Sequence, residues 1–548
     1  MKKWFSSIVV ILICVTNCNG TVSKNRNIEP TNLEIKDGWY YVYGEKFFVN
    51  ALGYEIGARP GQHPYEYREI ELARMAHDLK LIKEAGFNAI RTWSELTEEE
   101  VKLIQYTGLK MIFGIWIKPH ADFSDPEFVK EALHLVDSIV SFTSKYDCII
   151  TYLIMNEPMP QHIHDVGVKN TYDLWMKAKE IIHEKHPGIP VTISGNSAIT
   201  EYLNMNMFDV YSYNAYDYAE GINYAMGFAN GNRFLKEINK GDLPLILTEF
   251  GKSVSRMGFG EYGGNTLKQQ EDALIEYFRN VLDAGATGMC PFYYADGWWK
   301  GGEPSIHNDT PEEWFGYWGY KDLEDTIGYP RPVWYAVKEY NKALITAPKN
   351  QQFYENKVPM EIFLQDDIDM VRVIYHDAIV YEKNGLNDKY FVDTLSFGND
   401  TLTDRELVFE FYNKKGELQK YEILIILTGN EPIEWPTLDV ETDLDDISKG
   451  KTLKAGFTFK NKTNFKIEDG LRYVFQHHIG WQPGENQLAK IDADKSSQTF
   501  DVVYNIRDES LLLGIYAGVD VSYGKFRKTI YTHKLLFRGD WADPIRIK

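Results

Sequence analysis

Residues 152–158 read Tyr152-Leu153-Ile154-Met155-Asn156-Glu157-Pro158, an apolar run that ends abruptly in polar residues. A second stretch of the same design reads Leu245-Ile246-Leu247-Thr248-Glu249-Phe250-Gly251. Continuous apolar runs of this length are typical of strands that are buried on both faces, as in parallel sheets. A carboxylate at the end of such a run is costly to bury unless it has partners or a use. The two stretches therefore predict a parallel sheet with chemically important carboxyl groups at one edge.

Short β-type runs alternate with amphipathic helical patterns over residues 34–345, which favours parallel strands joined by crossover helices. The predicted strands are Phe47–Tyr54, Asn88–Trp93, Lys110–Ile117, Cys148–Asn156, Val191–Gly195, Asp209–Tyr216, Leu245–Phe250 and Gly288–Tyr294. The predicted helices are Tyr67–Ala85, Pro126–Lys145, Thr171–His186, Asn223–Asn239 and Thr266–Ala284. Eight such units match a (β/α)8 TIM barrel, which usually has about 250 residues plus insertions. The rival fold, a doubly wound open sheet, would need a glycine-rich phosphate loop after an early strand, and the sequence has none there.

The chain changes character after Leu344, where strand-like runs of period two follow one another. The predicted strands of this tail are Met370–Tyr375, Leu407–Tyr412, Glu422–Leu427, Thr452–Phe459, Thr499–Tyr504 and Leu511–Ala517. Short strands at this spacing favour immunoglobulin-like β-sandwiches. We therefore predict an α/β barrel over 30–347 and two sandwiches over 348–433 and 434–548, with a linker at 348–352. Ahead of the barrel, Asn32–Tyr43 with its Asp37-Gly38 turn predicts a hairpin at the barrel floor.

The first residues of the chain predict a targeting segment. Residues 1–20 combine a basic start with the apolar run Ile8–Val15, which is too short for a lasting transmembrane helix and favours a signal peptide. Cys18 leaves a second interpretation open, a bacterial lipoprotein anchored to the membrane through that residue. A secreted, cell-surface or periplasmic protein is expected in either case. Cys148 and Cys290 lie in apolar runs, so we expect them to be buried free thiols.

Composition narrows the classes of partner. The formal net charge of −20 repels phosphate backbones, so nucleic acid is not expected as a partner. A neutral polymer fits this charge better than a polymer rich in uronic acids. Aromatic residues make up 14% of the chain, which favours β-rich cores together with rings on which sugar faces stack. The sequence contains no motif for a metal or a cofactor, so we predict neither, and we expect a monomer.

Glu157 and Glu249 end the fourth and seventh predicted strands, where a parallel barrel builds its active site. Cleavage of a glycosidic bond with retention needs two carboxyl groups about 5–5.5 Å apart, one as acid/base and one as nucleophile. An Asn-Glu-Pro motif on strand four with a Glu on strand seven resembles glycoside hydrolase clan A. The resemblance implies that Glu157 is the acid/base, that Asn156 touches the sugar 2-hydroxyl and that Glu249 is the nucleophile.

The same resemblance assigns roles to residues around the predicted nucleophile. Arg91 lies near the end of the second strand, where the clan usually has an arginine that bonds the nucleophile. The sixth run ends in Asn214-Ala215-Tyr216, which is similar to the clan pattern of a polar residue, a spacer and a tyrosine. Tyr216 is therefore predicted to bond the nucleophile and Asn214 to contact sugar, with Tyr213 as the alternative to Tyr216.

Two further positions are predicted from this resemblance to bind substrate. Clan members often have a tryptophan after strand eight as a floor under the reacting sugar. Trp298 is the first choice for this floor and Trp299 the second. His120, after strand three, lies where some members have a substrate-binding histidine.

The substrate is predicted more coarsely than the chemistry. A barrel followed by immunoglobulin-like modules is similar in layout to the β-1,3-glucanases of glycoside hydrolase family 158. This resemblance implies an endo-acting enzyme on a β-glucan, with a β-linked oligo- or polysaccharide as the partner. Three alternatives stay open: another β-glycan such as mannan, galactan or a β-glucuronide, a non-catalytic carbohydrate-binding surface protein, and an adhesion protein whose sandwiches do the binding.

Overall fold

The computed structural model describes residues 33–56, 59–66, 68–93, 95–196, 207–216, 243–398, 403–429, 433–477, 487–492, 495–508, 510 and 512–539. The predicted signal segment, Cys18 and the predicted helix Asn223–Asn239 lie outside the described residues, so they stay predictions. Within the described part, Cys148 and Cys290 are buried free thiols, as predicted. No helix in these ranges is both long and apolar enough to cross a membrane.

The centre of the fold is a closed barrel of parallel strands. Its strands are β1 (Val49–Gly53), β2 (Ala89–Arg91), β3 (Lys110–Gly114), β4 (Ile149–Asn156), β5 (Val191–Asn196), β6 (Tyr211–Asn214), β7 (Leu245–Glu249) and β8 (Gly288–Met289). Each one overlaps a predicted run, and pairing of β8 with β1 closes the ring. The prediction of a (β/α)8 barrel is therefore confirmed, and the doubly wound alternative is wrong.

Helices surround this barrel. Their bounds are Leu72–Glu84, Glu98–Thr107, Pro126–Thr143, Pro160–Val166, Val168–Lys185, Leu267–Asp283 and Pro332–Tyr340. Helix Glu98–Thr107 was not predicted from the sequence, although a capping box marks its start: the Thr97 side chain accepts from the Glu100 backbone, and the Glu100 carboxylate accepts from the Thr97 backbone. Such a Thr-x-x-Glu pattern is a recognisable helix signal. Gly108 ends the helix with φ 78°, a left-handed conformation that glycine adopts without strain.

A small antiparallel sheet closes the floor of the barrel. It consists of Leu33–Lys36, Trp39–Val42 and Glu45–Phe47, so the predicted hairpin is present and gains a third strand. Tyr40 is fully buried and packs in a cluster with Val49 and Ala51 of β1. Its hydroxyl forms a hydrogen bond of 2.6 Å with that of Thr151 in β4. This plug leaves the opposite end of the barrel as the open one.

Two β-sandwiches follow the barrel, as predicted. The first packs the sheet Ala343–Ala347, Lys357–Leu364 and Tyr390–Ser396 on the sheet Gln352–Tyr354, Leu418–Thr428, Thr403–Asn413, Ile368–Tyr375 and Ala378–Asn384. The second packs Thr437–Thr442, Thr452–Lys460 and Ser497–Asn505 on Gln487–Ala489, Lys466–His477, Leu512–Tyr523 and Phe526–Phe537.

The start of the first sandwich differs from the predicted division at 347/348. Strand Ala343–Ala347, which the prediction placed in the barrel, pairs antiparallel with Lys357–Leu364. The stretch 348–352 therefore joins two strands of one sandwich and is not a linker between domains. The prediction failed because an apolar run directly after a helix looks the same whichever sheet it joins.

Loops with short elements cover the open end of the barrel. They contain the 3-10 helices Gly260–Tyr262, Trp298–Gly301 and Pro311–Glu313 and the strand pair Trp318–Gly319 and Tyr329–Pro330. A further 3-10 helix, Ile447–Lys449, lies in the second sandwich.

Gly114, the last residue of β3, tests how tightly the barrel mouth is packed. A Cβ atom on Gly114 would lie 2.2 Å from the Thr92 carbonyl oxygen and 2.8 Å from the Trp93 Cα, both of which are backbone atoms. We expect Gly114→Ala to destabilise the barrel by about 1–3 kcal/mol, the usual cost of overpacking. The control is Gly398→Ala, where a Cβ would meet nothing within 4 Å. Thermal unfolding checks this, and equal melting temperatures for the two variants would contradict the packing described.

Candidate active site

A cavity of about 330 Å³ opens among the loops at the carboxyl ends of the barrel strands. Its size is within the usual range for small-ligand sites. Aromatic rings and carboxylates dominate its wall. It is lined by Glu55, Tyr65, Trp93, Trp116, Asn156, Glu157, Tyr216, Glu249, Tyr262, Phe292, Trp299, Lys300 and Glu312. Both glutamates singled out by the sequence therefore face one cavity.

Glu249 is held at the cavity wall by three donors. Its Oε1 accepts hydrogen bonds from Arg91 Nη1 at 2.7 Å and from Trp93 Nε1 at 2.8 Å. Its Oε2 accepts from the Tyr216 hydroxyl at 3.0 Å. The predicted contacts of Arg91 and Tyr216 with Glu249 are thus present, whereas Tyr213 packs in the barrel's main hydrophobic core. Three donors, one of them a guanidinium, thus bind the two oxygens of this carboxyl group.

Arg91 is fully buried and connects Glu249 to the rest of the site. Besides Glu249, its Nη1 donates to the Thr248 carbonyl at 2.5 Å, and its Nη2 donates to Asn156 Oδ1 at 2.6 Å. Asn156 lines the cavity next to Glu157, as the Asn-Glu-Pro motif predicts. One guanidinium therefore fixes side chains from both β4 and β7.

Asn214 has its amide orientation set by neighbours. Its Oδ1 accepts from Ser194 Oγ at 2.5 Å and from Thr248 Oγ1 at 3.0 Å. The Nδ2 group consequently points to Glu157, where it donates to Oε1 at 2.9 Å. Asn214 thus contacts the carboxyl group of Glu157 and does not line the cavity, and the sugar contact predicted for it from the sequence stays a prediction.

Glu157 adopts a backbone conformation that is uncommon for a residue with a side chain, with φ 48°. Its backbone N–H donates to the Ser194 carbonyl at 2.7 Å. Burial, and then the negative charge of Glu249, raise the pKa of Glu157 to about 7, while the hydrogen bond from Asn214 acts in the opposite direction. Glu157 therefore holds a proton at neutral pH more readily than an ordinary glutamate does.

The two carboxyl groups thus differ in environment in the way that acid/base and nucleophile roles require. Glu157 has a raised pKa and one amide donor, while Glu249 has three donors, one of which is the Arg91 cation. Pairs of carboxyls whose environments differ in this sense can divide proton transfer and attack between them. Glycosidic cleavage is one reaction that such a pair supports.

The prediction for the tryptophan after strand eight is corrected by the structure. Trp298 is buried and stacks on His307, with ring centroids 4.7 Å apart, and it does not line the cavity. Trp299, the second choice, does line it. Because both residues belong to the 3-10 helix Trp298–Gly301, consecutive side chains point to different sides. Phe292, just after β8, supplies a further ring that the sequence analysis missed.

His120 does not line the cavity, so its predicted contact with substrate stays a prediction. Its side chain is exposed, and its ring lies 5.7 Å from that of His162. The loop after β3 instead contributes Trp116, which lies closer to the strand end. The sequence does not indicate which position of this loop faces the cavity.

Several lining residues were not predicted, and Glu55 is the one with the clearest sequence signal. It comes shortly after β1, so it is a strand-end glutamate like Glu157 and Glu249. Lys300 and Glu312 come from the long loop after β8 and carry no comparable signal. In the described part of the chain, no cluster of three or more His, Cys, Asp or Glu side chains could hold a metal ion.

No family model matches the chain, and no curated protein matches it. Solved structures with a similar fold include Bacteroides uniformis β-glucuronidase 2 covalently bound to cyclophellitol-6-carboxylate aziridine, at 13% identity and TM-score 0.47, over 92% of this chain and 67% of that one. Parabacteroides merdae β-glucuronidase with glycerol in its active site is 12% identical with TM-score 0.43, over 92% and 64%. A Faecalibacterium prausnitzii β-glucuronidase is 15% identical with TM-score 0.45, over 57% and 51%.

The chain thus spans between about half and two thirds of the length of these three proteins. Identities this low concern the fold alone. None of the three is named as a β-1,3-glucanase, so the resemblance to family 158 stays a prediction.

The effect of Glu249 on Glu157 can be measured directly. Because the charge on Glu249 raises the pKa of Glu157, we expect Glu249→Gln to lower that pKa. The control is Glu417→Gln, an exposed position in the tail, which should leave it unchanged. Titration of isotopically labelled glutamate carboxyls by NMR checks this, and a pKa near 7 that persists in Glu249→Gln would contradict the coupling.

Proposed function

We propose that the chain is a β-glycoside hydrolase that retains the configuration of the anomeric carbon. The observation that supports this most directly is the pair of strand-end glutamates in one cavity, where burial and the charge of Glu249 raise the pKa of Glu157 and where Arg91 pairs with Glu249. Glu157 is the general acid/base and Glu249 the nucleophile.

In the first step, the Glu249 carboxylate attacks the anomeric carbon while Glu157 gives its proton to the leaving oxygen. The glycosidic C–O bond breaks, and a glycosyl ester forms on Glu249. In the second step, the Glu157 carboxylate takes a proton from water, which attacks the same carbon and releases Glu249. Because each step inverts the carbon once, the product keeps the β configuration.

The residues around the pair position it for these steps. Arg91, Trp93 and Tyr216 fix both oxygens of Glu249. Asn156 uses its Oδ1 for Arg91, so its amide N–H groups are available for the sugar 2-hydroxyl. A hydrogen bond to that hydroxyl strengthens in the transition state of such enzymes.

Two substrate classes are proposed, each from a different charge in the cavity. Glu55 and Glu312 add negative charge beside the reacting pair, which favours a neutral β-glycan such as the predicted β-1,3-glucan. Lys300 favours a β-glucuronide, because no carboxylate of the described residues lies within 4 Å of its ammonium group and a sugar carboxylate could pair with it. β-Glucuronidase is also the name that the similar solved structures bear.

A substrate panel tests the function and separates these classes. We expect wild-type protein to hydrolyse laminarin or p-nitrophenyl β-glucoside if the substrate is neutral, and p-nitrophenyl β-glucuronide if it is a glucuronide. Glu249→Ala and Glu157→Ala should each lower kcat/KM by about 100-fold or more on a β-glycoside of the same sugar with a sugar or alkyl leaving group, which needs a proton to depart, since general acid/base groups alone contribute about 10²–10⁴-fold. Turnover that survives both substitutions would place the chemistry elsewhere, and binding without turnover would favour a carbohydrate-binding protein.

Trp93 offers a finer test of the donors around Glu249. We expect Trp93→Phe to lower kcat/KM by roughly 10-fold, because it removes a hydrogen bond to a charged group. Trp318→Phe is the matched control, since the Trp318 Nε1 is buried without a hydrogen-bond partner among the described residues. Equal rates for the two variants would show that the Trp93 hydrogen bond has no part in catalysis.

A further inference from the structure

Glu55 is a third buried carboxyl group in the cavity, and the proposed mechanism does not use it. The residue is only 8% exposed, yet its side chain lines the same cavity as Glu157 and Glu249. It follows the end of β1, so a rigid strand positions it. A buried carboxyl group that no reaction step explains needs another reason for being there.

The partners of Glu55 leave part of its hydrogen-bonding capacity unused. Its Oε2 accepts from Trp299 Nε1 at 2.9 Å, and its Oε1 accepts from the Tyr65 hydroxyl at a long 3.4 Å. An ionised carboxylate has about four acceptor positions, so about two remain for a molecule in the cavity. Within the described residues, no cation lies close enough to form an ion pair with it.

Burial makes the ionised form of Glu55 unfavourable as long as some of its acceptor positions have no donor. Burial raises the pKa of Glu55, and the ammonium group of Lys300 acts against this from a distance. Neutral donors that arrive with a ligand would satisfy the carboxylate without adding charge. Hydroxyl groups are such donors, and a sugar ring carries several of them on adjacent carbons.

The donors of Glu55 are themselves part of an aromatic wall. The rings of Trp299 and Tyr65 lie 5.2 Å apart, and those of Tyr65 and Trp116 lie 5.4 Å apart. All three rings line the cavity. A sugar whose face stacks on this wall would have the hydroxyls at the edge of its own ring close to the carboxylate of Glu55, which bonds to two residues of the wall.

We propose that Glu55 is a substrate-binding residue that accepts hydrogen bonds from hydroxyl groups of the sugar seated against Trp299 and Tyr65. This inference rests on the proposed function and deepens it, because it makes Glu55 a determinant of which sugar the site accepts. The substrate class is a β-glycoside whose reacting ring has free hydroxyls on the side away from the cleaved bond. Such a role applies equally to a neutral sugar and to a uronic acid.

Deoxy substrates test this role one hydroxyl at a time. The measurement is kcat/KM for the best aryl β-glycoside of the panel and for its 3-, 4- and 6-deoxy analogues, or the first two for a glucuronide. We expect at least one analogue to be worse than the parent for wild-type protein by about 10- to 100-fold, the usual effect of a hydrogen bond to a charged group. In Glu55→Gln, kcat/KM for the parent substrate should fall by most of that factor. The kcat/KM of the same analogue should then differ from that of the parent by less than about threefold.

Glu312→Gln is the matched control, because it removes an equal charge from the same cavity. The charge of Glu312 contributes to the raised pKa of Glu157, so this variant should lower the alkaline pKa of the pH–rate profile and keep the wild-type pattern of deoxy discrimination. Thermal unfolding verifies that Glu55→Gln is folded. Identical discrimination in Glu55→Gln and wild type at every position would overturn the role of Glu55 alone. Hydrolysis that does not depend on Glu249 would overturn the proposed function instead.

Discussion

The buried ion pair between Arg91 and Glu249 is the interaction on which the rest of the site depends. Arg91 has no exposed surface, so its charge must be satisfied inside the barrel. It pairs with Glu249 at 2.7 Å and divides its other hydrogen bonds among the Thr248 carbonyl, Asn156 and Asn214. Removing one partner of a buried pair usually costs about 3–5 kcal/mol, because the other charge is left without compensation. The pair is therefore both a requirement of the fold and the element that orders the cavity.

The environment of Glu157 follows from that pair. With its negative charge fixed at one wall, Glu249 makes a second negative charge in the same cavity unfavourable, and burial adds to this effect. Asn214, oriented by Ser194 and Thr248, limits the shift by donating to Glu157. Two chemically identical side chains thus acquire different protonation behaviour from their neighbours alone. Glu55 is a third carboxyl group whose behaviour is set by its neighbours, since the acceptor positions that they leave open suit neutral hydroxyl donors.

Much of this arrangement could be predicted from the sequence, because it depends on periodicity and strand ends. Apolar runs that end in a polar residue located the barrel strands, and strand position predicted that Glu157 and Glu249 lie at the same end of the barrel. The contact of Arg91 with Glu249 was predicted from the resemblance to glycoside hydrolase clan A. Side chains on loops could not be placed in this way. Trp298 and Trp299 are neighbours in sequence, and only the turn of a 3-10 helix decides which of them faces the cavity. Strand Ala343–Ala347 was assigned to the wrong domain, because a local sequence pattern does not show which distant strand a segment pairs with.

Identification of a covalent intermediate tests the central claim most directly. The protein would be incubated with the 2-deoxy-2-fluoro analogue of its best substrate, carrying a good leaving group, and then examined by intact-mass and peptide mass spectrometry. Our account predicts one added glycosyl group, located on Glu249, and none in Glu249→Gln. A label on Glu157 or on any other residue, or turnover of the natural substrate with inversion of the anomeric carbon, would contradict it.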